Sequence, residues 1–392
     1  MDGLDYCALA AAVVLAVPLL VLAVECVVAS ARRVRPTPPP QGRVPCAVLI
    51  PAHNEELGLG RTLDALAPEL IPGDRVLVVA DNCTDRTAHV ARGRANVEVV
   101  ERFDATRRGK GYALAFGVDV LRDQPPAVVV VLDADCVIGP GSLARLVVLA
   151  HETQRPVQAA YRMDPPAGAK AERGIAAFAF VVKNVVRPLG LKRLGQPCLL
   201  TGTGMAFPWP VISAAKLGHG HIVEDMQLAV DLVVAGHGPR FAPDAAVSAE
   251  FPTADAAAGG QRRRWEHGHL RVIRAGVPRL LASALKGRLS SLALALELGV
   301  PPLSALVLVA GAVLVALTGY AVFGGSPWPA AVLGTACSLA ALGLTAAWLR
   351  FGRSVLPVRT LLRVPLYAVR KVPLYLGFFT KPQAEWVRTE RV

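Results

Sequence analysis

The chain has few cysteines for its length, and none is spaced as a pair. Seven cysteines are scattered over 392 residues, with no C-x-x-C sequence and no other spacing suited to a metal. Neither a disulfide framework nor a zinc site is therefore indicated. Cysteines of this kind are typical of reduced thiols in a cytoplasmic or membrane-buried setting.

Two common nucleotide-binding motifs are also absent. No G-x-G-x-x-G follows the first predicted strand, and the chain contains no Walker A sequence. In proteins that carry these motifs, the glycines let the backbone approach a pyrophosphate closely. Their absence argues against a dinucleotide-dependent enzyme and against an NTPase.

Acidic residues are fewer than basic ones, and apolar residues dominate the composition. The chain has 30 Asp and Glu against 42 Lys and Arg, which gives a formal net charge of +12. Hydrophobic residues make up 53% of the chain and the mean hydropathy is +0.43, which predicts a membrane protein with a sizeable soluble part. Because basic residues near the carboxyl terminus adjoin apolar stretches, we expect an anionic membrane face as partner and no nucleic acid.

The amino-terminal part of the chain is apolar over a length that crosses a bilayer. The stretch from Cys7 to Ala29 predicts a transmembrane helix. A cleaved signal peptide is the alternative, but acidic residues and not basic ones precede the stretch. Arg32 and Arg33 follow it, so the positive-inside rule places the rest of the chain in the cytoplasm. Glu25, near that end, is expected to snorkel to the membrane surface.

The later apolar stretches predict further spans. A break at Pro301-Pro302 separates an interfacial or re-entrant piece from a spanning helix, and a second span ends before Arg350. The protein is thus expected in the inner (cell) membrane as a multi-pass protein with a cytoplasmic catalytic domain. The predicted segments are a transmembrane helix at 1–31, a proline-rich linker at 32–45, an α/β domain at 46–274, an interfacial or re-entrant segment at 275–302, two transmembrane helices at 303–350 and an amphipathic cytoplasmic tail at 351–392.

Short β-branched runs alternate with helical stretches between Cys46 and Arg274, as in parallel α/β proteins. Because ligands in such sheets bind at the carboxyl ends of the strands, the polar residues that follow each run are expected to lie together. The predicted strands are Ala47–Ile50, Arg75–Ala80, Val97–Val100 and Ala127–Leu132.

The fourth predicted strand ends in two carboxylates. Four consecutive valines and a leucine precede Asp133 and Asp135, as expected for a strand that is covered on both faces. Two carboxylates so close together repel each other unless a cation lies between them, and hard oxygen ligands suit Mg²⁺ or Mn²⁺. The alternative is a loop start in which an Asp caps a helix.

Seven short polar sequences follow one another between the first predicted strand and the end of the α/β segment. They are Pro51 to Glu56, Asp81, Lys110-Gly111-Tyr112-Ala113-Leu114, Asp133 with Asp135, Gly202-Thr203-Gly204, Glu224-Asp225 and Gln261 to Trp265. In the order of these motifs the chain resembles the family 2 glycosyltransferases, which are inverting enzymes with a GT-A (Rossmann-like) nucleotide-sugar-binding fold. The resemblance covers Cys46 to Trp265 and departs at Asp81-Asn82, where many members have two acids. Trp386 to Arg391 is similar to a terminal motif of some membrane-bound members.

The resemblance implies roles for these residues. It implies a UDP-sugar as donor, Asp81 as the contact to the nucleobase, and Asp133 and Asp135 as ligands of Mg²⁺ or Mn²⁺. The donor-binding residues are expected to be Pro51, His53, Glu55, Asp81, Lys110, Asp133, Gln261 and Arg264, and the acceptor-binding residues Gly202, Thr203, Gly204, Glu224 and Trp265.

Two assignments also follow from the chemistry of sugar transfer. Such a reaction needs a base for the acceptor hydroxyl, and Asp225 precedes an amphipathic helical pattern whose amino-terminal dipole favours an ionised carboxylate. Gln261, Arg264 and Trp265 stand at i, i+3 and i+4 and so share one helical face. This face combines a phosphate-pairing guanidinium with an indole suited to stacking on a sugar. A helix-starting acid and a basic membrane-surface helix are the respective alternatives.

Two further segments are less specific. The stretch from Ala171 to Leu194 is predicted to be a helix that lies at the bilayer surface beside an acceptor groove, with a buried packing helix as the alternative. His267 and His269 are expected to be solvated bystanders in a basic segment.

The sequence therefore predicts a membrane-bound inverting hexosyltransferase that moves a sugar from a UDP-sugar to a lipid-linked acceptor, a polyprenyl phosphate or glycolipid, in surface polysaccharide or glycolipid biosynthesis. A processive synthase of the cellulose, chitin or hyaluronan type is the first alternative, although about three spanning helices are few for a polymer channel. A homo-oligomer would relieve that objection. A non-catalytic nucleotide-sugar-binding scaffold and a nucleotidyltransferase are further alternatives, and the latter would leave Asp225 and Trp265 unexplained.

Overall fold

The computed structural model describes residues 2–34, 37–165, 171–218, 220, 223–251 and 255–380. The predicted terminal motif from Trp386 to Arg391 lies outside these residues. The helices are α1 (Gly3–Ser30), α2 (Leu59–Leu66), α3 (Thr87–Arg92), α4 (Lys110–Val120), α5 (Ser142–Thr153), α6 (Ala171–Val181), α7 (Arg187–Arg193), α8 (Trp209–Ser213), α9 (Glu224–Val234), α10 (Asp255–Leu285), α11 (Leu289–Leu298), α12 (Leu303–Val322), α13 (Trp328–Ala347), α14 (Val358–Leu361), α15 (Val364–Val369) and α16 (Val372–Thr380).

The strands alternate with helices in the first half of the chain, as predicted. They are β1 (Cys46–Ala52), β2 (Arg75–Asp81), β3 (Val97–Arg102), β4 (Val128–Val131), β5 (Val137–Ile138), β6 (Val157–Asp164), β7 (Met205–Pro208) and β8 (Arg240–Glu250). Each of the four predicted strands is found within two residues of its expected ends.

The described residues form two compact units. The sheet unit consists of residues 34, 37–165, 196–218, 220, 223–251 and 255–268, and the helical unit of residues 2–33, 171–195 and 269–380. Residues 171–195 thus cluster with the apolar helices, although they lie inside the segment predicted as a single α/β domain.

The sheet has the order β3-β2-β1-β4-β7-β6-β8-β5. Strands β1 to β4 are parallel to one another, whereas β7 is antiparallel to both β4 and β6. The sheet is therefore mixed and not purely parallel. Because Val131 at the end of β4 pairs with Met205 at the start of β7, the loop before β7 lies at the same edge as the carboxyl ends of β1 to β4.

Strand β4 lies at the centre of this sheet and is buried on both faces. Val128, Val129, Val130 and Val131 are all 1% exposed or less, which accounts for the absence of polar alternation in this run. Burial of a valine side chain contributes roughly 1.5–3 kcal/mol, so this strand is a rigid base for the residues that follow it.

In the helical unit, four helical segments are long and apolar enough to cross a membrane. They are Gly3–Ser30, Glu172–Arg193, Leu303–Val322 and Trp328–Gly352. Helices begin at Leu303 and Trp328, the positions at which the sequence predicted spanning helices, after the break at Pro301-Pro302. Helix α1 packs closely on α13, where a Cβ at Gly343 would lie 3.0 Å from the backbone of Ala23.

The segment from Glu172 to Arg193 is a buried packing helix and not a surface one. It consists of α6, a π-helical turn at Val182–Val186 and α7, and 78% of its most apolar window is buried. The sequence predicted about three spanning helices, because the basic residues of this segment favoured a position at the bilayer surface. Arg187 is only 3% exposed, so one of these basic residues belongs to a buried ion pair and not to an interface.

The Glu25 side chain is buried in an ion pair and does not extend toward solvent, contrary to the expectation that it snorkels. It is 2% exposed and accepts a 2.7 Å hydrogen bond from Arg187 Nε, while Arg187 Nη2 donates a 2.6 Å hydrogen bond to Glu297 of α11. Loss of one partner would leave an uncompensated buried charge, so these residues depend on one another. His269 is buried as well, at 4% exposure, and its Nε2 lies 3.3 Å from the carbonyl oxygen of Leu298.

Candidate active site

The first polar loop at the sheet edge follows β1 and lies against β2 and the residues after β4. Asn54 adopts a left-handed conformation with φ of 55°, which turns the chain sharply at this point. The imidazole Nδ1 of His53 lies 2.7 Å from the carbonyl oxygen of Asp81. A Cβ at Gly58 would be 3.6 Å from the Cβ of Asp135, so this loop is also adjacent to the predicted metal ligands.

At the end of β2, the carboxylate of Asp81 is buried and accepts hydrogen bonds from two side chains. Its Oδ1 accepts a 2.6 Å hydrogen bond from Arg102 at the end of β3 and a 3.0 Å bond from the Asn82 amide. Arg102 also donates a 3.1 Å hydrogen bond to Asp104, and its guanidinium lies 5.8 Å from the ring centre of Tyr112. Arg102 therefore holds the predicted nucleobase contact in place.

The residues after β4 offer a set of metal ligands. Asp133, Asp135 and Cys136 each present a ligand atom within 4.8 Å of the others. Two carboxylates suit the hard divalent cations Mg²⁺ and Mn²⁺, so these residues fit the predicted metal. Burial, with a further effect of Asp133, raises the pKa of the Cys136 thiol to about 12. The thiol is thus a protonated donor to Asp135 Oδ1, at 3.3 Å, and not a thiolate ligand.

Lys110, the first residue of α4, connects the predicted metal ligands with the loop before β7. Its ammonium forms an ion pair with Asp133 and donates a 2.7 Å hydrogen bond to the carbonyl oxygen of Gly202. It also lies 3.9 Å from the carboxylate of Glu224. Burial acts to lower the pKa of Lys110, but the charges of Asp133 and Glu224 outweigh it and raise the pKa. The lysine is therefore a fixed cation in the site.

Glu224 and Asp225 begin α9, as the sequence predicted. A Cβ at Gly202 would lie 3.4 Å from Asp225 Oδ2 and 3.5 Å from Lys110 Nζ, so the glycine lies between the predicted base and the lysine. Burial raises the pKa of Glu224 to about 7, with Lys110 acting against the shift and Asp225 adding to it. The two acids line a small, mostly apolar pocket together with Gly111, Leu114, Met205, Leu217 and Leu228.

The predicted face of Gln261, Arg264 and Trp265 lies on helix α10. Gln261 is 5% exposed, while Arg264 and Trp265 are half-buried. Burial lowers the pKa of Arg264, and the charges of Glu224 and Asp133 act in the opposite direction. Arg264 is thus close enough to Glu224 and Asp133 for their charges to act on its pKa. His267 of the same helix is 2% exposed, so the expectation that it is solvated was wrong.

Sequence reasoning missed two residues at this edge. Arg102 was overlooked because the predicted third strand ended at Val100, two residues before the observed end of β3. Cys136 directly follows the carboxylate pair, and its position was the available signal. The partners of both residues are set by tertiary structure, since Arg102 and Asp81 are 21 residues apart in the chain.

Comparisons with known proteins agree with the resemblance of the motifs. The profile described as Glycosyltransferase like family 2 matches residues 42–268. Over 73 residues the chain is 41% identical to the 4,4'-diaponeurosporenoate glycosyltransferase of Staphylococcus aureus strain USA300, a match that covers 18% of this chain and 19% of that relative.

A solved structure extends the similarity over most of the chain. The mannosyltransferase PcManGT from Pyrobaculum calidifontis, in complex with GDP-Man and Mn²⁺, has a TM-score of 0.55 and 21% identity, and the match covers 94% of this chain and 98% of that one. At this identity the likeness concerns the fold, which is GT-A as predicted. Because the family profile spans more than half of the sequence, the chain belongs to the glycosyltransferase-like family 2.

Proposed function

We propose that this glycosyltransferase transfers a hexose from a UDP-sugar to a lipid-linked acceptor with inversion, by a single direct displacement. The observation that carries the proposal is the arrangement around Lys110, whose ammonium contacts both Asp133 and the Gly202 carbonyl, with Asp225 against the same glycine. The carboxylates assigned to the cation and the carboxylate assigned as the base are thus connected by Lys110 and by the loop that contains Gly202.

Each group has a distinct chemical role in this proposal. Asp133 and Asp135 hold Mg²⁺ or Mn²⁺, which when bound neutralises the diphosphate that departs from the sugar. Lys110 and Arg264 supply further positive charge for the phosphates. Asp225 accepts the proton of the acceptor hydroxyl as that oxygen attacks the anomeric carbon, and the bond to the diphosphate breaks on the opposite face. Attack from one face and departure from the other invert the anomeric configuration.

The hydrogen bonds of Asp81 favour uracil over guanine as the base. One carboxylate oxygen is bound by Arg102 and Asn82, while no described residue donates a hydrogen bond to Oδ2. A single free oxygen matches the one imide N–H of uracil. Guanine presents two adjacent N–H donors, which match a carboxylate with both oxygens available. The GDP-Man in the PcManGT complex makes guanosine the alternative to be tested.

A lipid-linked acceptor is supported by the apolar helices. The same chain that carries the transferase motifs has four helices long and apolar enough to cross a membrane. A soluble acceptor gives no reason for so much apolar sequence. The Staphylococcus aureus relative that is similar over 73 residues is named a 4,4'-diaponeurosporenoate glycosyltransferase, and an acceptor that is not a sugar is therefore compatible with this family.

The test is donor turnover by the purified protein in detergent. UDP-hexoses and GDP-mannose are compared with Mn²⁺, with Mg²⁺ and with EDTA, using membrane lipid extracts as acceptor. We expect UDP release that needs a divalent cation and a kcat lowered by about 10²–10⁴ in Asp225→Asn. Asp135→Ala should be inactive, and Asp119→Asn, an exposed acid on α4, should be unaffected. Normal turnover by both site variants would refute the assignments of base and metal ligand.

The product distinguishes single addition from processive synthesis. Labelled donor should yield one product carrying a single added sugar, separable by chromatography of the lipid fraction. A ladder of long products from the purified protein alone would instead identify a polymerising synthase. Nucleotide-sugar binding without any turnover under all donor conditions would favour a non-catalytic scaffold.

A further inference from the structure

The loop at 201–204 is held in place by a side chain from another strand. Gln158 of β6 is fully buried, and its Nε2 donates a 2.9 Å hydrogen bond to the carbonyl oxygen of Thr203. Its Oε1 accepts a 2.9 Å hydrogen bond from the backbone N–H of Thr201. Gln158 therefore binds this loop on both sides of Gly202.

Every hydrogen-bonding group of the Gln158 side-chain amide has a partner in this position. Its second N–H donates a 2.9 Å hydrogen bond to the carbonyl oxygen of Ala159, so both hydrogens and the oxygen are bound. The neighbouring Val157, Ala159 and Ala160 are buried apolar residues. A buried amide is costly unless all its groups are bonded, and an apolar residue here would leave the Thr201 N–H and the Thr203 carbonyl unsatisfied. A glutamine thus supplies both the acceptor for the Thr201 N–H and the donor for the Thr203 carbonyl.

The loop in turn contacts the groups assigned to catalysis. The Thr203 hydroxyl accepts a 3.0 Å hydrogen bond from the backbone N–H of Asp133. The Gly202 carbonyl accepts the 2.7 Å hydrogen bond from Lys110, and the Cα of Gly202 faces the Asp225 carboxylate. A shift of this loop would therefore move a metal ligand, a phosphate-binding cation and the space around the base together.

We propose that Gln158 is a positioning residue for sugar transfer, which acts through the 201–204 loop on Asp133, Lys110 and Asp225. This inference rests on the proposed function for the roles of those three residues. Gln158 itself touches neither donor nor acceptor. Its effect is to fix the loop that joins the metal side of the site to the side of the base, and a displacement of about 1 Å at such a point is enough to lower turnover about 10²-fold.

The test compares Gln158→Met with Val157→Ala on the same strand. Both variants lose stability, the first through unsatisfied loop groups and the second through a cavity, but only the first releases the loop. We expect kcat to fall about 10- to 100-fold in Gln158→Met, with a smaller change in KM for the donor because the contacts at Asp81 are intact. Val157→Ala should keep wild-type kcat at a temperature where both proteins are folded.

Mn²⁺ affinity gives a readout that does not depend on turnover. Measured by electron paramagnetic resonance of free Mn²⁺ without donor, it should weaken about tenfold in Gln158→Met and not in Val157→Ala. Thr203→Val removes the acceptor for the Asp133 N–H. If Gln158 acts through this loop, the double variant should lose little more than the more affected single variant, which shows coupling in a double-mutant cycle.

The outcomes separate this inference from the proposed function. Wild-type kcat and Mn²⁺ affinity in Gln158→Met, or equal losses in Val157→Ala, would overturn the positioning role while leaving a cation-dependent transferase intact. Should Gln158→Met not fold, Gln158→Glu keeps the shape and the acceptor for Thr201 and is expected to lose kcat and Mn²⁺ affinity in the same way. Failure of the wild type to release nucleotide would count against the proposed function, and the Mn²⁺ comparison would still decide the role of Gln158.

Discussion

Arg187 and Glu25 form a buried ion pair between helices α7 and α1, with 2.7 Å between Nε and Oε2 and a separation of 162 positions in the chain. The same guanidinium binds Glu297, and all three residues are at most 3% exposed. A single cation thus joins three helices of the helical unit. Charges buried this deeply are stable only as a set, because each one alone would be without water and without a partner.

Replacement of this cation should therefore be strongly destabilising. Arg187→Met leaves two buried carboxylates unpaired, and we expect a loss of about 3–5 kcal/mol, measured as a lower thermal unfolding midpoint in detergent. The triple variant Glu25→Gln, Arg187→Met, Glu297→Gln should recover much of this loss, while Arg359→Met at an exposed position should have no effect. A triple variant as unstable as Arg187→Met would show that packing, and not charge, explains the loss.

Lys110→Met should have opposite effects on metal binding and on turnover. The lysine competes with a cation for Asp133, so its removal should tighten Mn²⁺ binding in the absence of donor about tenfold. Turnover should fall by about 10²-fold, because a positive charge for the phosphates is lost. Arg108→Met removes an exposed charge from the preceding loop and is the control. Weaker Mn²⁺ binding in Lys110→Met would contradict the proposed competition.

Alanine at the two glycines of the 201–204 loop should separate activity from stability. Both glycines have positive φ, at 92° for Gly202 and 63° for Gly204, so each substitution strains the backbone by about 1–3 kcal/mol. At position 204 the added Cβ would lie 2.8 Å from Ala159 and Val247, so the main loss should be in the unfolding midpoint. At position 202 it meets Asp225 and Lys110, so kcat should fall further. Equal ratios of kcat loss to stability loss would contradict this distinction.

The raised pKa of Glu224 predicts a pH dependence of stability. Burial raises this pKa from 4.5 to about 7, so the folded protein binds the proton more tightly than the unfolded chain does. The resulting stabilisation is fully present below pH 4.5 and is lost as the pH rises through 7. In EDTA, the unfolding midpoint should therefore fall more steeply between pH 5 and pH 8 in the wild type than in Glu224→Gln. Glu98→Gln, at an exposed position, should follow the wild type, and parallel curves for all three would refute the shift.

The sequence predicted the elements of the sheet and the residues at its edge because local patterns determine them. The valine run before Asp133 is buried as expected, and α9 begins at Glu224 beside the predicted base. In contrast, the burial of Glu25, His267 and His269 depends on partners far away in the chain, which no local pattern reveals. These residues were assigned to solvent or membrane surface for that reason.

Gln158 illustrates the same limit in the sheet. A single amide among buried apolar residues is a visible signal in the sequence, but its meaning depends on the loop at 201–204, some 43 residues further on. The mixture of parallel and antiparallel strands was also not predicted, since the sequence of a short strand such as β7 does not indicate whether it runs parallel or antiparallel to its neighbours.

The reversed direction of β7 has an evolutionary consequence. The groups assigned to the nucleotide and the metal follow parallel strands, whereas the loop assigned to the acceptor precedes an antiparallel one, so the two sets reach a common edge from independent stretches of the chain. Because Gly202 and Thr203 of the loop before β7 are also bonded to Lys110 and Asp133, an exchange in this loop acts on the donor groups as well as on the acceptor side. The two stretches of the chain are therefore expected to change together when such a scaffold evolves toward a new acceptor.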